Sequence, residues 1–472
     1  MTLIKSISGI RGTIGGQPGD TLSPIDVVKF SAAFGHFVLK TSGINKIVLG
    51  RDARLSGDMV KNLVVGTLQA IGLDVIDLGL ATTPTVEIAV PLEKAGGGII
   101  LTASHNPKQW NALKLLNAKG EFISDLEGKE VLRIADSNEI NYVEVDHLGT
   151  YTFNDTYLQK HIDLILELPW VDVNAIKARN FKVVIDCVNS VGGVTLPPLL
   201  KALGVEVIHE LFCTPDGKFP HNPEPLPENL TSLSSEVLST KSDLGIAVDP
   251  DVDRLCFVSE DGNMFGEEYT LVAIADYLLN NTDDAYLQRN HYTLNTVSNL
   301  SSTRALRDVT ERANGKYFAS AVGEVNVVTM MKANNALIGG EGNGGIILPA
   351  LHYGRDALVG IALFLSHLAK QNKTCSQLRA SYPNYFISKN KISLTEGLDI
   401  DALLKKVEEK YKNQPINTVD GLKIEFDKEW VHLRRSNTEP IIRIYSEGQS
   451  ETTAESLAHK IMDDIREIMN KQ

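Results

Sequence analysis

Apolar residues in this chain come in short runs closed by glycine, serine or aspartate. Lys46-Ile47-Val48-Leu49-Gly50 reads as a strand buried on both faces. A Gly/Ser break, a helix and the segment Ala70-Ile71-Gly72-Leu73-Asp74-Val75-Ile76 follow. Lys182-Val183-Val184-Ile185-Asp186 starts the same order again, ending on Ala202-Leu203-Gly204-Val205-Glu206-Val207-Ile208. A poorer third copy opens at Tyr292-Thr293-Leu294-Asn295-Thr296. It passes Ser298 to Ser302 and a helix, and reaches Gly315-Lys316-Tyr317-Phe318. Strand, turn, helix, glycine, strand is the grammar of a parallel βαβ unit. The shared Ala-x-Gly-x-x-Val-Ile ending marks the first two copies as an internal repeat.

The last ninety or so residues differ. Asp401 to Lys412 forms a charged amphipathic helix pattern. Gly421 to Phe426, Trp430 to Arg434 and Ile441 to Tyr445 alternate as strands, and Glu455 to Met469 closes as a helix. The expected fold class is α/β: three similar α/β domains with mixed sheets, then a C-terminal α+β domain with an antiparallel sheet. Polar stretches place the boundaries near 150, 260 and 375, giving domains over 1–150, 151–260, 261–375 and 376–472.

Composition agrees with this picture. The 472 residues are too many for one core, and 43% hydrophobic with 22% charged is ordinary for a globular protein. No apolar run approaches the roughly 20 residues that span a bilayer. Met1-Thr2-Leu3-Ile4-Lys5 lacks the apolar stretch of a secretory signal. The 4 cysteines (Cys187, Cys213, Cys256, Cys375) are far apart, without zinc spacing. A reduced, cytoplasmic protein is expected. The net charge of −13 speaks against nucleic acid as a partner. It does not exclude a small phosphorylated metabolite held by a local cluster of Arg, Lys and backbone N–H groups.

Four loops carry candidate chemistry. Thr102-Ala103-Ser104-His105-Asn106-Pro107 follows the strand Gly98-Ile99-Ile100-Leu101. Pro107 biases Asn106 away from helix, so Ser104 lies on a stiff loop at a strand's carboxyl end. Serine beside histidine is either a nucleophile or a polar turn. Asp249-Pro250-Asp251-Val252-Asp253-Arg254 follows the apolar run Leu244 to Val248. Three alternate carboxylates held together repel unless a cation is present, and magnesium suits a phosphoryl site. Otherwise the segment is a solvated acidic turn. Gly339-Gly340-Glu341-Gly342-Asn343-Gly344-Gly345 is a backbone-approach loop or a surface turn, with Glu341 a candidate for sugar hydroxyls. Arg434-Arg435-Ser436-Asn437-Thr438-Glu439-Pro440, with Arg443 beyond, has a phosphate-binding composition or is a charged hairpin. Gly9-Ile10-Arg11-Gly12, Gly50-Arg51-Asp52 and Asn111-Ala112-Leu113-Lys114 are isolated candidates.

In this order, the loops resemble those of the α-D-phosphohexomutase superfamily, whose members include phosphoglucosamine mutases and dual phosphomannomutase/phosphoglucomutases. The resemblance covers almost the whole chain. It implies four domains around a central active-site cleft, one motif from each. It implies a phosphoserine at Ser104 and one Mg²⁺ per chain, held by Asp249, Asp251, Asp253 and the Ser104 phosphate. A hexose 1,6-bisphosphate would be both intermediate and activator. Arg254 and Arg11 would offset phosphate charge, and His105 and Lys114 would manage hydrogen bonds and protons beside Ser104. Arg434, Ser436, Asn437, Thr438 and Arg443 would bind the phosphate that is not transferred. The implied partner is a phosphosugar, acting on a monomer or homodimer, with no nucleic acid and no membrane.

Sugar identity turns on departures from the better-known pattern. Ser8-Gly9-Ile10-Arg11-Gly12 resembles the phosphoglucosamine mutase form. In the sugar loop Asn343 and Gly345 replace the usual Ser and His. With Gly354-Arg355-Asp356 and Val322-Gly323-Glu324, this resembles the archaeal-type phosphoglucosamine mutase branch. Glu324 and Asn343 join Glu341 as sugar-binding candidates, Glu324 toward an amino group on C2. Glucosamine phosphate is favoured over mannose or glucose phosphate. A non-catalytic sugar-phosphate-binding protein and a magnesium phosphatase are the competing classes.

Overall fold

The computed structural model describes residues 2–6, 9–137, 139–393, 399–435 and 441–470. The chain divides into two compact units. One comprises Met1–Tyr277 with Asn343–Leu378, the other Leu278–Gly342 with Arg379–Gln472.

The first unit holds two sheets. The larger has seven strands, ordered Ile4–Ser6, Gly9–Thr13, Trp110–Asn117, Gly97–Leu101, Lys46–Arg51, Asp74–Leu80, Tyr151–Phe153. The four strands from Gly97–Leu101 to Tyr151–Phe153 run parallel, and Trp110–Asn117 is antiparallel to both of its neighbours. Ile47 and Leu49 pack with Phe30, Phe34, Val60 and Leu68 on one face. Val48 packs with Val86, Val90 and Tyr157 on the other. Helices on both faces explain why the strand reads as an unbroken apolar run. The smaller sheet orders Leu255–Ser259, Leu244–Val248, Lys182–Asp186 and Val207–Leu211, with only Leu255–Ser259 antiparallel. Helix Ala357–Gln371 also belongs to this unit. Its Phe364 stacks on Phe257 with ring centroids 3.8 Å apart.

The repeated glycine of the first two copies does not lie in a strand. Ala70 and Ala202 each close a helix, and Gly72 and Gly204 follow at φ of 89° and 87°. Glycine there ends the helix without a Cβ penalty, and the strands begin later, at Asp74 and Val207.

In the second unit Thr293–Asn299 pairs in parallel with Tyr317–Ser320 and Ala336–Glu341. A separate five-stranded antiparallel sheet orders Phe386–Ser393, Ile441–Gly448, Trp430–Arg435, Leu422–Glu425 and Ile416–Asn417. Helices Ile400–Lys410 and Glu451–Asn470 cover it through Leu403, Val407, Ile461 and Ile465. The strand Phe386–Ser393 has no counterpart in the sequence reading, because its residues are largely polar and half-exposed. Among the described residues no helix is long and apolar enough to cross a membrane.

Candidate active site

In the first unit the Ser104 loop and the aspartate loop meet. Ser104 follows the strand Gly97–Leu101 and has φ of 48°, a left-handed conformation that is rare for a residue with a Cβ. Its amide donates to Thr102 Oγ1 at 2.9 Å. Its hydroxyl donates to Asp249 Oδ2 at 2.6 Å and lies 3.4 Å from His105 Nδ1. Asp249 follows the buried strand Leu244–Val248, and the loop it opens turns through Val252 at φ of 61°. A β-branched residue in that region is strained, a cost that clusters at functional loops.

Each of the three carboxylates is pinned through at least one oxygen. Asp249 Oδ1 accepts the amides of Asp253 and Arg254, both at 3.1 Å. Asp251 Oδ2 accepts from Thr83 Oγ1 at 2.5 Å and Lys114 Nζ at 2.7 Å. Asp253 Oδ2 accepts from Arg355 Nη2 at 2.7 Å and Lys114 Nζ at 3.4 Å. Asp251 Oδ1 and Asp253 Oδ1 are buried without a hydrogen-bond partner among the described residues. The three carboxylates offer ligand atoms within 4.8 Å of one another. Bare oxygens converging in a buried site fit a hard divalent cation.

Charge follows from this geometry. Burial, then the carboxylates of Asp253 and Asp251, holds the Asp249 carboxyl well above its ordinary range. Burial would raise Asp251 too, but Lys114 and the Thr83 hydroxyl outweigh it and lower the group. Burial would also lower the Lys114 ammonium, yet Asp251 and Asp253 raise it, so it stays charged. Burial, then Arg254, pushes the His105 imidazole down to about 2, so the ring is neutral.

Sequence reasoning gave no supporting role to three residues, although Arg355 was noted in Gly354-Arg355-Asp356. The buried Arg54 pairs through Nε with Asp52 Oδ2 at 3.0 Å. Its terminal nitrogens donate to the carbonyls of Ser104, Asn106, Pro107 and Trp110, stapling the Ser104 loop. Thr83, beside the helix cap Thr82, holds Asp251 through its hydroxyl and its amide. Arg355 holds Asp253. Nothing in the sequence marks an arginine as buried. Thr82 caps the helix Thr83–Leu92, and nothing in the sequence ties Thr83 to Asp251.

Other predicted residues of this unit are spread around the cluster. Arg254 Nη1 donates to Glu224 at 3.0 Å. Arg11 lies on the strand that pairs with Trp110–Asn117, the strand carrying Lys114, and its Nε is buried without a hydrogen-bond partner among the described residues. Asn343 Oδ1 accepts the Gly345 amide at 3.2 Å. Arg51 pairs with Asp58, and Asn111 bonds Ser56.

The second unit carries the remaining predicted groups. Glu341, at the end of strand Ala336–Glu341, accepts from Asn299 Nδ2 at 3.0 Å and the Gly323 amide at 3.2 Å. Glu324 opens the helix Glu324–Ala333 and is 9% exposed. Arg434 and Arg443 are direct partners on adjacent antiparallel strands. Like charges placed opposite each other are unfavourable, and an anion between them reverses the sign. Ser436, Asn437 and Thr438 lie outside the described residues.

Comparison with known proteins places this arrangement. Models of the four phosphoglucomutase/phosphomannomutase domains match the chain. The alpha/beta/alpha domains I, II and III match residues 3–141, 159–262 and 267–385, and the C-terminal domain matches 391–464. The phosphoglucomutase/phosphomannomutase of Thermococcus kodakarensis is 36% identical over 94% of this chain and 95% of its own length. The phosphoglucosamine/phosphogalactosamine mutase of Sulfurisphaera tokodaii is 32% identical over 96% of this chain and 97% of its own. A solved phosphoglucomutase/phosphomannomutase family protein from Burkholderia thailandensis, 27% identical, superposes with a TM-score of 0.81 over 99% of this chain and 98% of that one. With four domains matched in order and relatives aligned end to end, the chain belongs to the phosphoglucomutase/phosphomannomutase family.

Proposed function

We propose that the chain interconverts hexose 6-phosphate and hexose 1-phosphate, with glucosamine phosphate as its preferred substrate. The observation that carries this reading is the Ser104 hydroxyl bonded to the first carboxylate of a buried acidic triad with bare oxygens. Ser104 in its phosphorylated form gives its phosphoryl group to the free hydroxyl of a hexose monophosphate, and Ser104 Oγ takes a proton. The bisphosphate turns, its other phosphate returns to Ser104, and the isomeric monophosphate leaves. Asp249, Asp251 and Asp253 are the residues that would hold Mg²⁺, which supplies charge neutralisation at the transferred phosphoryl. Lys114 and Arg355 fix the carboxylates. His105, neutral beside Ser104 Oγ, is suited to accept a hydrogen bond, and Arg254 and Arg11 offset phosphate charge. Arg434 and Arg443, with Ser436, Asn437 and Thr438, serve the phosphate that is not transferred. Glu341, Asn343 and Glu324 read the sugar.

The preference for glucosamine phosphate rests on the sugar-loop sequence and on the buried Glu324 carboxylate. A dual phosphomannomutase/phosphoglucomutase is the second reading, favoured by the name of the Thermococcus relative. A coupled mutase assay with Mg²⁺ decides between them. It should compare glucosamine, N-acetylglucosamine, glucose and mannose phosphates, each with its 1,6-bisphosphate. The highest kcat/KM on glucosamine phosphate supports the first reading, and preference for mannose or glucose phosphate supports the second. Phosphate release without isomerisation would sink both.

A further inference from the structure

Asp420 stands at the turn between strands Ile416–Asn417 and Leu422–Glu425, in the second unit. Its Oδ2 lies 2.8 Å from Arg434 Nε, an ion pair between side chains 24% and 25% exposed in which charge rather than an aligned N–H makes the contact, since Nε has no hydrogen-bond partner among the described residues. The same oxygen accepts the Val322 amide at 2.9 Å. Val322 heads the Val322-Gly323-Glu324 turn, and Gly323 in turn bonds Glu341. One carboxylate oxygen therefore joins an arginine of the phosphate-type motif to the turn that carries Glu324 and bonds Glu341.

The backbone of Asp420 is fixed as well. Its carbonyl can only accept, so the 2.6 Å contact from His432 Nε2 sets that nitrogen as the donor. His432 Nδ1 then accepts from the Ser301 hydroxyl at 2.9 Å. Burial pushes the imidazole down to about 4, which keeps it neutral and preserves this tautomer. The next residue, Gly421, has φ of 78°, and a Cβ there would meet the Leu433 carbonyl at 2.2 Å. The turn is thus pressed against the strand that carries Arg434.

We infer that Asp420 is a positioning residue, which anchors the Arg434 guanidinium by its Nε side so that both terminal nitrogens face a phosphate as a fork. A guanidinium held in place loses less freedom on binding than a free one, and a bidentate fork is the geometry that phosphate favours. This inference rests on the proposed role of Arg434 in phosphate binding.

Calorimetry with glucose 1-phosphate as the probe tests it, using wild type, D420N, R434M and D420N/R434M. D420N keeps an oxygen for the Val322 amide but removes the charge facing Arg434. It should weaken binding about tenfold, and it should have no further effect in the R434M background. A loss that persists in that background would mean a merely structural role, and an unchanged affinity in D420N would mean no role; either overturns the inference. If D420N does not melt cooperatively, D420S, which keeps a hydroxyl for the same amide, replaces it with the same expectation. With metal chelated, binding is read without turnover, so a wild type that binds the probe but lacks mutase activity when Mg²⁺ is supplied sinks the proposed function and leaves this cycle decisive.

Discussion

The Ser104 hydroxyl donates to Asp249 across 2.6 Å, although 145 positions separate the two residues along the chain. The supporting contacts come from further elements: Arg54 under the serine loop, Thr83 and Lys114 at Asp251, and Arg355 at Asp253. The Ser104 loop and the acidic triad are therefore one construction.

If Ser104 carries the phosphoryl group, Ser104→Ala abolishes mutase turnover while shifting stability by only about 1 kcal/mol, the worth of one hydrogen bond. Intact mass of active wild type shows about 80 Da of added phosphate, and phosphatase removes it. Full activity of the alanine variant sinks the assignment.

Asp251→Asn and Asp253→Asn each remove a bare carboxylate oxygen from the converging set. Turnover is expected to fall about 100-fold or more in each, with the fold intact by circular dichroism. A chelator should silence the wild type and added Mg²⁺ should restore it. Activity that survives exhaustive chelation rules out the metal reading.

Arg54→Lys keeps the charge but cannot reach four carbonyls at once. With the pairing to Asp52 also disturbed, a loss of about 3 kcal/mol is expected. A misplaced Ser104 should cost about 100-fold in kcat, with a smaller change in KM. Melting and steady-state kinetics on the same preparation separate the two effects.

Glu324→Gln tests sugar recognition. Loss of the carboxylate should lower kcat/KM for glucosamine phosphate about tenfold relative to glucose phosphate, as expected when one charged hydrogen bond is lost. An unchanged ratio removes Glu324 from specificity.

His352 supplies a pH test of stability. Burial alone would lower its imidazole, but Asp356 and Glu87 raise it to about 10. A group raised on folding contributes fully below its unfolded value of about 6.5 and loses that contribution as pH climbs through the folded value. The destabilisation caused by His352→Gln should therefore be largest near pH 6 and fade above about pH 10. Asp356, held low by His161 and His352 against burial, works in the opposite sense. Its contribution is present above about pH 4 and declines as pH falls through its folded value. A wild-type to variant difference in melting temperature that does not change between about pH 6 and pH 10 contradicts the pairing.

Much of this was legible in the sequence because it depends on local pattern. The apolar runs ending at Gly50, Asp186 and Val248 gave the buried strands, and the loops after Leu101 and Val248 gave the Ser104 turn and the acidic triad that meet in space. The strand Phe386–Ser393 was not legible, since an edge of polar residues carries no periodic signal. Arg54, Thr83 and Arg355 were missed for another reason. Their roles depend on which loops meet in space, and a charged or hydroxyl residue looks the same in sequence whether it is solvated or buried against a backbone carbonyl.

Lys114 reaches both Asp251 and Asp253, Arg355 reaches Asp253, and burial with the neighbouring carboxylates raises the Asp249 carboxyl. Part of the negative charge of the acidic triad is thus offset by the chain's own Lys114 and Arg355. Synthesis and maturation then need not wait for metal. If the site takes Mg²⁺ as proposed, scarcity of magnesium would leave a reservoir of intact, idle enzyme instead of unfolded chain, and resupply would restart turnover without new protein.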